Sequence, residues 1–304
     1  MGSGRQQLPC GACAGKVART RFSAFAGMMC SPDRRSRTAR GRAAQGEDRV
    51  IELEGGRPGQ ILRRGDEVLR PAGAFTPTVQ RFLRHLRDRG FSSAPMPLGV
   101  EGDREAVTYV EGRVCEDLAD PLTGSPAMLR SAAMLLRRFH DASRGFLESD
   151  GGPRSWMLPA VEPCELVCHG DFAPYNVVTE GEAAVGLIDF DAAHPAPAAW
   201  DLAYALYRWA PLTDPAQPGA HDEEEQLRRA RLFCDAYGAD AAERRELPAM
   251  IGRRLQALVD FMHARAKAGD AAFAEAIARG DSDIYVNDLD YIARIGDRLR
   301  LALI

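Results

Sequence analysis

Two short apolar segments, each delivering an acidic residue from its end, constrain this chain more than any other feature. In the first, Leu166-Val167-Cys168 runs into His169-Gly170-Asp171, Asn176 follows, and Val177-Val178 resume the apolar pattern. In the second, Gly186-Leu187-Ile188 ends on Asp189, with Phe190 and Asp191 after it. Apolar runs this short, bounded by glycine and polar residues, read as buried strands. A tight loop after the first strand lets Asp171 and Asn176 face one cleft, and the second strand brings Asp189 toward it. Taken singly, Asx residues in such places serve turns and caps; three in register point to a site. Two carboxylates and a carboxamide are hard oxygen ligands, few in number, and with phosphate and water they suit Mg²⁺ far better than Zn²⁺.

His169-Gly170-Asp171 with Asn176, then Ile188-Asp189-Phe190, then Trp200-Asp201-Leu202-Ala203, resemble the catalytic loop, metal-binding segment and downstream helix start of the aminoglycoside phosphotransferase and choline kinase-like family. The resemblance runs from about residue 50 to residue 304 and is strongest from 166 to 203. It implies an α+β, two-lobed protein kinase-like fold, with a small β-rich N-terminal lobe and a larger, mainly helical C-terminal lobe. It also implies transfer of the γ-phosphate of ATP or GTP, with Mg²⁺, to a hydroxyl of a small molecule. Asp171 would orient the acceptor hydroxyl and receive its proton late in transfer. His169 would serve the catalytic loop, bracing it rather than acting as acid or base. Asn176 and Asp189 would hold Mg²⁺, and Asp201 would hydrogen-bond the loop from a helix N-terminus.

Elsewhere the match is looser. Gly55, Gly56 and Gly59 resemble the loop that covers the phosphates, although a plain hairpin turn uses the same residues. Glu105 to Gly112 falls where the hinge between lobes should lie, which sets Thr108, Tyr109, Val110 and Glu111 against the base of the nucleotide. Where the family carries a lysine that grips the α- and β-phosphates, Val68-Leu69-Arg70-Pro71 offers Arg70; the chain's lysines are Lys16 and Lys267. Arginine keeps the charge but is longer and forked. The following helix has no glutamate to pair with Arg70, only Gln80 and His85 as polar candidates. This departure leaves a second reading open, a non-catalytic, pseudokinase-like nucleotide-binding regulator.

The rest of the chain is organised around these motifs. Residues 1 to 48 are rich in Arg, Gly, Ser and Ala without sustained periodicity, and are expected to be a disordered basic extension: either an arm for an anionic partner or sequence upstream of the functional start, since Met28 and Met29 lie inside it. Residues 49 to 112 read as strands around one helix, the N-terminal nucleotide-binding lobe. In that helix Thr76 is the expected N-cap, Pro77 the first helical residue, and Val79, Phe82, Leu83 and Leu86 share a face. Residues 113 to 304 turn helical, with helices expected from Ser125 to about Ser143, within 223 to 237, 243 to 268 and 285 to 303, as the C-terminal catalytic and substrate-binding lobe.

Residues 1 to 46 hold nine Lys or Arg against the single acid Asp33, so the formal net charge of -4 conceals a body with 30 basic and 42 acidic side chains. An acidic body disfavours nucleic acid as a partner and suits either a cationic acceptor or simple solvation. Asp191, Asp222, Glu223, Glu224, Glu225, Asp260, Asp281, Asp283, Asp288 and Asp290 are the acids available to an amine-bearing acceptor. Seven cysteines form one CxxC, Cys10 and Cys13, without a second pair at metal spacing, so reduced thiols are expected. No long uncharged apolar stretch or signal-like start is present. The expectation is therefore a cytoplasmic monomer or homodimer that does not engage a membrane, its partners being a nucleoside triphosphate and a small hydroxyl acceptor.

Overall fold

The structure, a computed structural model, describes residues 50–53, 61–115 and 120–304. The expectations for residues 1 to 48, and for Gly55, Gly56 and Gly59, lie outside the described residues.

Strands β1 (Val50–Glu52), β2 (Leu62–Arg64), β3 (Glu67–Pro71), β4 (Pro97–Glu101) and β5 (Arg104–Thr108) form an antiparallel sheet in the order β1-β2-β3-β5-β4. Between β3 and β4 runs α1 (Thr76–Asp88). Its N-cap is Phe75 rather than the expected Thr76, because the Thr76 hydroxyl turns back to accept the Gly73 N–H at 2.9 Å. In register, Arg70 of β3 lies directly opposite Glu105 of β5, so their side chains share one face of the sheet.

The chain then crosses into a helical body through β6 (Arg113–Val114), α2 (Pro126–Ser143), the single turn α3 (Phe146–Ser149) and β7 (Leu166–Cys168). Ser125 caps α2, its hydroxyl accepting the Met128 N–H. Strands β8 (Val177–Glu180) and β9 (Ala183–Leu187) make a hairpin that pairs with β6, and β10 (His194–Ala196) returns antiparallel to β7. Helices α4 (Ala198–Trp209), α5 (Glu223–Tyr237), α6 (Ala241–Lys267), α7 (Ala271–Ala278) and α8 (Asp281–Leu303) complete the body. Asp222 and Asp240 cap α5 and α6, the latter with a full capping box to Glu243.

One apolar core joins the two parts. Val79, Phe82, Leu83 and Leu86 of α1 are buried, and Phe82 meets Phe139, Phe146 and Phe190 edge to face. Because α1 belongs to the first sheet and Phe139 and Phe190 to the second body, the lobes share this contact. Gly112, at φ 134°, marks the crossing; a β-carbon there would collide with Val178 and the Thr179 carbonyl, so only glycine passes this close to β8. Among the described residues no helix is long and apolar enough to cross a membrane, and Cys115, Cys164, Cys168 and Cys234 are not joined in disulfides.

Candidate active site

Strand β7 ends by delivering His169, Gly170 and Asp171 into a loop that three helices hold. Asp201, in the first turn of α4, accepts the His169 N–H at 2.7 Å and the Gly170 N–H at 3.0 Å. His140 of α2 lies 3.1 Å from the same carboxylate; since the carboxylate only accepts, His140 Nε2 carries the proton and Nδ1 faces the Tyr237 hydroxyl at 2.7 Å. Burial alone would raise the Asp201 carboxyl, yet His140, together with the ring and backbone N–H of His169, outweighs it and holds it at about 2. Arg254 of α6 donates to the Gly170 carbonyl at 2.6 Å. Gly170 has φ 80°, and a β-carbon on it would run into the Ala192 carbonyl oxygen.

His169 is committed at both ring nitrogens. The Asp171 N–H donates to Nδ1 at 3.3 Å, which leaves Nε2–H to donate to the Ile188 carbonyl at 2.9 Å. Burial lowers its basicity, consistent with a neutral ring that ties the loop to the end of β9.

Asp171 is buried, with one carboxylate oxygen accepting from the Tyr175 hydroxyl at 2.8 Å and the other from Asn176 Nδ2 at 2.9 Å. Burial pushes its carboxyl up to about 7, against the pull of Tyr175, and nearby Asp189 adds to the rise. Asn176 Nδ2 also donates to the Asp171 carbonyl at 3.0 Å, so its amide nitrogen is spent on Asp171 and its oxygen is turned away from it. The Ile188 N–H donates to the Asn176 carbonyl at 2.9 Å, which puts Asp189 beside Asn176 at the same end of the β8–β9 hairpin. The sequence's three oxygen-bearing residues thus come from adjacent strand ends.

Asp189 sits at φ 64°, the one non-glycine residue at positive φ among those described. Such a conformation costs on the order of 1–2 kcal/mol and persists only when its neighbours are pinned. Phe190 supplies the pin: its ring is buried 4.9 Å from the His169 ring centroid and 5.9 Å from that of Phe139.

Arg70 reaches this cluster from the sheet. Its Nη1 lies 3.1 Å from Asp189, its Nη2 2.8 Å from Asp191, and its Nε contacts Glu105. Gln80 of α1 donates to the other Glu105 oxygen at 3.2 Å. The missing helix glutamate is therefore replaced by a strand glutamate, which sequence reading overlooked because only the β3–β5 register brings the two together. Asp191 also departs from its expected place among acids facing an acceptor, since it pairs with Arg70. Several others are engaged too: Glu223 with Arg298, Glu225 with Arg228 and Arg229, Asp281 with Arg279, and Asp288 with the Tyr207 hydroxyl at 2.7 Å.

At the hinge, the Thr108 N–H donates to Met96 at 2.9 Å and the Tyr109 N–H to Asp66 at 2.7 Å, so these two donors are already used. Val110 packs beside Gly186 on the hairpin floor, where a β-carbon on Gly186 would meet it at 2.6 Å. Arg63 stacks 3.6 Å from the Tyr109 ring centroid and pairs with Glu111 at 2.7 Å.

The hard oxygen donors fit a divalent cation. The single positive charge of Arg70 is divided among Glu105, Asp189 and Asp191, and burial pushes the Asp191 carboxyl up to about 7, so Asp189, with its side chain 39% exposed, is the acid at the lobe junction that stays open to a cation. His140, Cys168 and Asp201 also cluster, within 4.8 Å, but are buried; His140 and Asp201 are consumed by the bonds above, and burial raises the Cys168 thiol well above its usual value.

A β-rich lobe and a helical lobe, with loop acids meeting at their junction, define a protein kinase-like fold. A solved aminoglycoside phosphotransferase from Alicyclobacillus acidocaldarius shares it, with a TM-score of 0.50 and 17% identity over 86% of this chain and 99% of that one. The sequence pattern of the phosphotransferase enzyme family matches residues 154–247, the span that contains His169 to Asn176, Ile188 to Phe190 and Asp201. A trifolitoxin immunity protein of Rhizobium leguminosarum bv. trifolii is 32% identical over 202 residues, 64% of this chain and 76% of that protein. An uncharacterized protein of Deinococcus radiodurans is 32% identical over 228 residues, and the match spans 62% of its length. The chain belongs to the phosphotransferase enzyme family.

Proposed function

We propose that the protein transfers the γ-phosphoryl group of ATP or GTP to a hydroxyl of a small molecule, residues 49–112 holding the nucleotide and residues 113–304 the acceptor. The observation that carries this reading is the placement of Asp171, its two oxygens oriented by Tyr175 and Asn176, on the ledge where Asp189 emerges. Asp171 accepts the hydrogen bond of the acceptor hydroxyl and aims its oxygen at the γ-phosphorus. As that oxygen bonds to phosphorus, the bond to the β–γ bridging oxygen breaks, the diphosphate leaves, and the hydroxyl proton passes to Asp171. A carboxyl near 7 is well matched to taking up that proton. His169 keeps the loop in place and touches neither reactant.

Mg²⁺, when bound, supplies neutralisation of phosphate charge, and Asn176 and Asp189 are the residues that would hold it. Arg70 would face the α- and β-phosphates, and Val110 and Glu111 offer the remaining hinge backbone to the base beyond Thr108 and Tyr109. A triphosphate co-substrate implies action in the cytoplasm.

The test is nucleotide consumption across a panel of aminoglycosides, choline-like amines, sugars and, given the immunity protein among the relatives, hydroxyl-bearing peptide toxins. Asp171→Ala should abolish turnover with nucleotide binding nearly intact, whereas Asp189→Ala should weaken Mg²⁺-nucleotide binding as well. Equal, mild effects from both would count against these roles. Arg70 in the lysine's place favours a second reading, a non-catalytic nucleotide-binding regulator; thermal stabilisation by Mg²⁺-nucleotide with no turnover on any acceptor would select it.

A further inference from the structure

A guanidinium is a flat fork, and whatever claims one edge dictates where the other points. On Arg70 the Nε edge is taken by Glu105, directly across the β3–β5 ladder and 1% exposed. Glu105 has no freedom to turn: Gln80 Nε2 holds its second oxygen and is itself anchored to the carbonyls of Gly99 and Ala106, each at 3.3 Å. With Nε fixed, Nη1 and Nη2 are directed across the lobe junction onto Asp189 and Asp191. A lysine ammonium, a single point charge, could not be held in this divided way.

The consequence is a competition. Asp189 is the residue offered to a divalent cation, yet it accepts from Arg70 Nη1 at 3.1 Å. The more of the Arg70 charge that Glu105 satisfies, the less firmly Arg70 holds Asp189. Resting on the nucleotide-binding reading above, we propose that Glu105, steadied by Gln80, is a positioning residue that sets how readily a divalent cation displaces Arg70 from Asp189. The pair that orients the phosphate-facing cation has thereby moved from the helix to the neighbouring strand, and the metal requirement moves with it.

The experiment titrates Mg²⁺ into full-length protein held with a methylanthraniloyl-labelled ATP and follows its fluorescence. Glu105→Gln keeps the shape and removes the charge, leaving Arg70 to lean on Asp189 and Asp191. The Mg²⁺ concentration at half-maximal binding should rise about fivefold or more, a typical size for coupling between neighbouring sites. Gln80→Met, which only loosens Glu105, should raise it in the same direction by a smaller factor, and it decides the matter if Glu105→Gln does not fold. Glu105→Asp, which keeps the charge, should recover part of the shift. A purely structural glutamate would lower the melting temperature and leave the Mg²⁺ midpoint of the variants at the wild-type value; that result overturns the proposal while leaving the nucleotide site standing. A wild-type protein that binds no labelled nucleotide at any Mg²⁺ concentration overturns both.

Discussion

Replacing Asp201 with asparagine tests whether the loop is held by charge or merely by shape. The side chain is fully buried and accepts from His169 N–H, Gly170 N–H and His140. Its carboxyl sits at about 2 in the folded chain, against about 3.9 when unfolded, and the gap corresponds to about 2.5 kcal/mol of stability at neutral pH. Asparagine offers one acceptor oxygen and one NH₂ group, so whichever way it turns, one backbone N–H faces another donor. An orphaned buried donor costs about 1–3 kcal/mol. The two figures describe overlapping interactions, and the expected loss for Asp201→Asn is therefore about 2–4 kcal/mol. Urea unfolding followed by the fluorescence of Trp156, Trp200 and Trp209 measures it. The folded value lies below the unfolded one, so the wild-type advantage is full above about pH 4 and fades as pH falls toward 2. By pH 3 about half of the charge-dependent part should be gone. A gap under about 0.5 kcal/mol at pH 7, or one that does not narrow on acidification, would refute the argument.

Three further outcomes follow from the geometry. Gly170→Ala forces a β-carbon onto the Ala192 carbonyl at φ 80° and should destabilise by about 3 kcal/mol or more, read as the urea midpoint; a neutral substitution would show that the loop relaxes freely. Phe190→Ala empties a fully buried aromatic site and should lose about 3–5 kcal/mol, and because Phe190 pins the strained Asp189 backbone it should weaken Mg²⁺-nucleotide binding beyond what a comparable cavity at Phe233 does. Tyr175→Phe removes a hydrogen bond that restrains the Asp171 carboxyl, so the acidic limb of the kcat/KM profile should move to higher pH, with kcat lowered at pH 7; an unmoved limb would mean Asp171 is not the titrating group.

Much of the site was legible because its parts lie close along the chain. Asp171 and Asn176 share one loop, and Asp189 ends the next strand but one, so apolar periodicity and residue type suffice to bring them together. Helix α5 matches its expected limits, and α2 begins at the expected Ser125, because their caps are local signals: Ser125, Asp222 and the Gly238 stop. Helix α7 escaped notice, being only eight residues long and alanine-rich, with a weak contrast between its faces. The Phe75 cap was missed since a threonine hydroxyl serves either the turn before a helix or the helix itself, and the choice here depends on where Gly73 lies.

The sequence alone determined the family, the strand-borne acids and glycine-dependent loop, and the division into a β-rich and a helical part, because each is written in neighbouring residues. Only the tertiary structure decided what Arg70 does. Its three carboxylates come from β5, from the second residue past β9 and from the turn beyond, and their distances depend on strand register and on how α1 packs between the lobes. Charge pairing acts over a few ångströms through space and takes no account of separation along the chain, so no local pattern could have announced it.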